Sequence, residues 1–110
     1  MAVTLGTFTR RDDGTFVGTF NTLNVSVGLV IMPVTLTSDK APDHRVYKAG
    51  NRFEMGAGWS QAAKSSGEKY ISLKLGSPEF GPSWVRCRLV KLEQPNEDGS
   101  THIALWDPRD

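Results

Sequence analysis

Trp84, Arg86 and Arg88 stand two residues apart. In an extended chain such residues point the same way. Tyr70, Ser72 and Lys74 repeat the spacing one segment earlier. If the two segments are neighbouring strands, as sequential strands usually are, one face carries a Trp, a Tyr, two Arg and a Lys. Aromatic rings stack on bases and guanidinium groups grip phosphates, and that mix is what single-strand nucleic-acid binders present. The bland reading of the same residues is a solvated face on which Arg stems lie across the rings. A second cluster, Ser38 to Arg45, offers Lys40 and Arg45 as phosphate or carboxylate grips. Its structural reading is a shaped loop. Asp39 closes an Asx turn, Pro42 fixes φ, and Asp43 pairs with Arg45 or caps backbone N–H groups.

Other chemistries lack their parts. The histidines are His44 and His102, and the single thiol is Cys87. A zinc site needs three or four ligands at coherent spacing, which these do not supply. Cys87 falls in phase with Val85 and Leu89, so it is expected to face inward as a small, inert hydrophobe. No nucleophile elbow or cysteine-protease signature surrounds any Ser or Cys. The glycines form neither GxGxxG before a helix nor GxxxxGK[ST]. The expectation is a protein that is not an enzyme, with no cofactor and no metal.

The elements that must position these residues are short runs rich in Val, Ile, Thr, Phe and Tyr, separated by Gly, Pro, Asp or Asn. Val3 to Arg10 and Thr15 to Thr22 read as a hairpin around Asp12-Asp13-Gly14. Leu23, Val25, Val27, Leu29 and Ile31 alternate as one long strand ending near Pro33. Asp43 to Ala49 is a short strand. In Arg52 to Trp59 the alternation puts Phe53, Met55, Ala57 and Trp59 on one face, read as core with Phe8, Phe16 and Phe20. Gly56 and Gly58 there signal a bulge or a close backbone approach. Ser60 to Ser66 reads as a helical turn or a loop. Tyr70 to Leu75, Ser83 to Glu93 and Thr101 to Trp106 complete about eight strands, with the side on which His102, Ala104 and Trp106 fall left open. The fold expected is a single all-β domain over residues 1–110, an antiparallel barrel or sandwich, with an OB-like arrangement as one form of it.

Composition sets the outer limits. The 110 residues are 38% hydrophobic and 23% charged, a globular balance. A chain of this size buries roughly 65% of its extended surface, enough for one core without staples. Net charge is +1, so nucleic-acid binding would depend on charges sorted onto one face. Near-neutrality also leaves a homodimer open. One cysteine, no signal-peptide pattern and no long apolar run point to the cytoplasm and away from a membrane.

Ser38-Asp39-Lys40-Ala41-Pro42-Asp43-His44-Arg45-Val46 resembles the signature block of a bacterial family, domain of unknown function 736. Gly14-Thr15-Phe16-Val17-Gly18, Thr22-Leu23, Met55-Gly56-Ala57-Gly58-Trp59 and Tyr70-Ile71-Ser72-Leu73-Lys74-Leu75 follow in the family's order. The segment Gly76-Ser77-Pro78-Glu79-Phe80 departs from it, lacking the usual acidic pair. The resemblance implies a setting among plasmid and integrative-element genes, and no activity. The leading expectation is a binding protein of a mobile element that contacts single-stranded DNA or RNA, with Trp84 and Tyr70 stacking and Arg86, Arg88, Lys74 and Arg45 holding phosphates. The rival is a protein–protein module aimed at a host protein, such as an inhibitor of host defence or a conjugation accessory, since the same residue types dominate interface hot spots.

Overall fold

Among the described residues eight strands form, each where β-branched and aromatic residues alternate between turn-forming clusters. They are β1 (Val3–Arg10), β2 (Phe16–Asn21), β3 (Ser26–Pro33), β4 (His44–Lys48), β5 (Glu54–Ala62), β6 (Lys69–Leu75), β7 (Val85–Lys91) and β8 (His102–Trp106). The computed structural model describes residues 3–23, 25–35, 38, 40–50, 53–64, 66–77 and 84–106. Each strand pairs antiparallel with the next, and β8 returns to β1 to close a barrel. The chain is thus all-β, and of the two architectures expected it is the barrel. Its order is a simple up-and-down meander, not the five-stranded Greek key of an OB fold.

An eight-stranded barrel is just wide enough for its own side chains to fill. Phe8, Phe20, Leu29, Ile31, Val46, Leu73, Leu75 and Leu89 are the largest side chains fully enclosed there. Cys87 and Ala104 are buried with them, and Val27 and Val85 pack against the cluster. Across the first hairpin Gly6 faces Phe20 and Phe8 faces Gly18. The paired Gly-Thr-Phe patterns are therefore hairpin symmetry, each large ring opposite a glycine.

One strand departs from plain alternation. Val46 faces Gly56 while Tyr47 faces Glu54, so Met55 is an extra residue in β5. This bulge flips the phase of everything after it. Met55 stays in the core, but Trp59 moves to the outer wall and Phe53 is 47% exposed. The expectation that Phe53 and Trp59 share a core face with Met55 is corrected accordingly. Gly56 allows the bulged strand to lie against β6, because a Cβ there would overlap the Lys74 carbonyl oxygen.

Three smaller differences follow. Leu23 is almost wholly exposed, since it belongs to a turn closed by Thr22 N–H donating to Val25 O, and β3 begins only at Ser26. Ser60 to Ala62 continues β5, and the single turn expected from Ser60 comes only after it, where Gly67 N–H donates to Ala63 O. His102 and Ala104 face inward on β8, while Trp106 is partly exposed at the far end of the strand.

Candidate nucleic-acid interface

Strand pairing orders the outer wall of β3 to β7. Met32 faces Arg45, Arg45 faces Ala57, Ala57 faces Lys74, and Lys74 faces Arg86. All five lie on outward positions in one cross-strand row. With strands about 4.8 Å apart, Lys74 and Arg86 are separated by about 5 Å and Arg45 and Lys74 by about 10 Å. The next outward row runs Trp59, Ser72, Arg88 and Leu105. The wall therefore carries four cations within two rows, edged by tryptophans.

Trp84 precedes β7 and is 55% exposed. The Lys74 ammonium lies 4.9 Å from the centre of its ring, a cation–π contact. Gly76 makes room for the indole: a Cβ at that position would run into the ring. Arg86 is exposed and Arg88 half-buried. Arg45 meets Glu54 at 3.4 Å, with both side chains open to water. An exposed pair of that kind contributes little, so a phosphate can displace the carboxylate.

The second tryptophan is the residue that alternation alone misplaces. Trp59 donates its Nε1–H to the Lys40 carbonyl at 3.1 Å. Lys40 thus contributes its backbone as an anchor for Trp59, with its side chain exposed beside the patch. Gly56 and Gly58 were the available signal for this, since Gly56 borders the bulge that turns Trp59 outward and Gly58 marks a close approach of the Ile71, Leu73 and His44 side chains.

Tyr70 stands apart. It is outward on β6, but its hydroxyl donates to Gln61 Oε1 at 3.0 Å. It is five residues from the Leu75–Val85 pairing beside Trp84, about 17 Å along the strand. Tyr70 and Arg88 line a separate groove of about 900 Å³ whose rim mixes Lys69 and Lys91 with Glu68 and Glu93. Trp84, Lys74, Arg86 and Arg45 are brought together; Tyr70 is not part of their row.

The loop before β4 is built by its acidic residue. Asp43 accepts a hydrogen bond from Ser60 N–H at 3.1 Å and pairs with His44 Nδ1 at 2.7 Å. Its backbone N–H donates to Gly58 O and its carbonyl accepts from Val34 N–H. Burial works to raise the Asp43 carboxyl, but the bonds from His44 and Ser60 outweigh it and hold it below the ordinary carboxylate value. Asp43 therefore serves His44 and the β5 backbone, and the pairing with Arg45 considered above does not form. Asp39, the expected Asx-turn residue, lies outside the described residues.

Two chemistries can be placed against this geometry. Among the described residues no three His, Cys, Asp or Glu groups come close enough to hold a metal ion. Burial pushes the Cys87 thiol up to about 12, where it carries no thiolate at neutral pH. No helix among the described residues is long and apolar enough to cross a membrane. The family described as "Protein of unknown function (DUF736)" matches the sequence over residues 4–109. Neither the curated proteins nor the solved structures yield a match.

Proposed function

For a chain that belongs to the DUF736 family, whose description carries no activity, we propose a non-enzymatic role: binding single-stranded nucleic acid on the outer wall of β3 to β7. The observation that carries the reading is the cross-strand register that aligns Arg45, Lys74 and Arg86, with Trp84 exposed beside the row, two residues before Arg86. The cations track the phosphate backbone, and Arg88 and Lys40 extend the positive surface. Trp84, and in part Trp59, offer faces on which any base can stack, so binding is expected to be tolerant of sequence. A mobile-DNA setting, where single strands are common intermediates, belongs to this proposal.

Fluorescence anisotropy with a labelled single-stranded oligonucleotide tests it. Neutralising about three phosphates gives a log–log salt slope of about −2 for a single strand. Trp84→Ala should weaken binding by one to two decades, since stacking contributes about 1–3 kcal/mol per base. Arg86→Gln should weaken binding and flatten the salt slope. No anisotropy change at low salt and micromolar protein would remove the proposal. In that event the protein–protein reading stands in its place, because exposed Trp and Arg are the residues around which interface hot spots form.

A further inference from the structure

The same alternation that fills the barrel leaves a different layer at one mouth. Arg10 is in phase with Phe8, Lys69 with Ile71, Lys91 with Leu89, and His102 with Ala104. Each continues an inward face past the last core residue. Antiparallel order puts all four at the same end, because Arg10 closes β1, Lys69 opens β6, Lys91 closes β7 and His102 opens β8. There they line one cavity of about 340 Å³ whose floor includes Phe16, Ile71 and Leu89.

This cup holds three cations and no carboxylate in its lining. Of the acids in the surrounding loops, Glu68 and Glu93 line the adjoining groove with Lys69 and Lys91, and three aspartates are committed to other partners. Asp13 accepts from Thr15 N–H, Asp43 from Ser60 N–H and His44, and Asp98 from the N–H and hydroxyl of Ser100. No ion pair forms at Arg10, Lys69 or Lys91 among the described residues. The imidazole is oriented as well. Thr101 Oγ1 accepts the Arg10 backbone N–H at 3.0 Å and lies 2.8 Å from His102 Nδ1. Donation of the Thr101 hydroxyl proton to Nδ1 leaves Nε2–H as the free donor of a neutral ring. Phe16 meets that ring edge-on, with centroids 4.7 Å apart.

We propose that this mouth binds a small organic anion, a carboxylate or phosphate monoester on a flat apolar body. The charged end pairs with Arg10, Lys69 and Lys91, and the apolar part rests on Phe16 and Leu89. The volume fits a ligand of that size and is at the small end of known pockets. The site is separate from the row of Arg45, Lys74 and Arg86, which lies on the outside of the wall.

Burial lowers the His102 pKa, and Lys91 and Arg10 lower it further. An anion seated among those cations offsets their charge, so it should move the His102 titration upward. The groups facing His102 from the packed elements are Arg10, Lys91 and Lys69, with Asp43 bound to His44 across the mouth. The test is a two-dimensional NMR titration of the full chain at low salt with phenyl phosphate, benzoate and inorganic phosphate as probes. Saturable shifts at Arg10, Phe16, Lys91 and His102, together with a raised His102 midpoint, support the site. The phenyl phosphate and benzoate arms show which headgroup is preferred. Lys69→Gln with Lys91→Gln should weaken phenyl phosphate about tenfold, whereas Arg86→Gln should leave it unchanged. Shifts confined to the outer wall, an unchanged His102 midpoint, or inorganic phosphate binding as well as phenyl phosphate would each overturn it. The midpoint readout needs only the wild-type chain and decides the matter even if the double variant fails to fold.

Discussion

Single residues decide how this barrel responds to pH. His102 is buried, and burial together with Lys91 and Arg10 disfavours its charged form. Its pKa in the folded chain therefore lies below the unfolded value of 6.5. Above 6.5 both states are neutral and the fold keeps its full stability. As pH falls below that value the unfolded chain takes up the proton first, so stability declines. Asp13, Asp43 and Asp98 add a second loss at lower pH. Hydrogen bonds from the backbone and neighbouring side chains hold all three below 3.8, and in Asp43 they outweigh the opposing effect of burial. Urea midpoints measured between pH 7.5 and 5 should fall in the wild type and stay flatter in His102→Gln. An equal decline in both would show that His102 is not the responsible group. The residue scale also shows what was readable early: the inward phase of Cys87 follows from its neighbours, and so does its unreactive thiol.

At the scale of elements, β5 is where local pattern and final structure diverge. Its glycines announce a bulge or a close approach, and both occur. What the pattern does not say is which residue is extra. That is fixed by β4, which pairs Val46 with Gly56 and Tyr47 with Glu54, and a strand cannot specify its partner's register alone. Trp59 consequently exchanges core for surface, and joins the face that Trp84, Lys74 and Arg86 already define. Gly56→Ala tests the mechanism. Its new methyl would overlap the Lys74 carbonyl, so the two strands must separate or the bulge must move. A loss of roughly 2–4 kcal/mol is expected, at the high end for one substitution, and is measured by urea denaturation. A cost under about 0.5 kcal/mol would mean that β5 has slack to shift. The pairing of β6 with β7, by contrast, follows from simple hairpin order, which is why the Lys74–Arg86 neighbourhood was legible.

For the molecule as a whole, closure is the distinctive feature. The pairing of β1 with β8 joins Val3 to Trp106 and Thr7 to Ile103, across almost the entire sequence. It removes both sheet edges at once. Each strand then depends on two neighbours, and the shared core links them all, so unfolding should be a single cooperative event. Ile103→Pro removes a ladder donor from β8, the strand that closes the barrel, and should cost about 3 kcal/mol or more. Far-UV circular dichroism and tryptophan fluorescence should still lose their signals together. Fluorescence falling well before circular dichroism would show the seam opening as a separate step.

Composition, turn residues and period-two alternation were sufficient to determine eight strands, an all-β barrel or sandwich, the Phe8, Phe16 and Phe20 core, and the outward set on β6 and β7. Those properties are local, because each depends only on residues a few positions apart. Closure, the bulge that turns Trp59 outward, the alignment of Arg45 with Lys74 and Arg86, and the cationic mouth of Arg10, Lys69 and Lys91 were decided by tertiary structure. Each of these joins residues from different strands. Their relative height depends on register, and register is set by how neighbouring strands fit around a shared core.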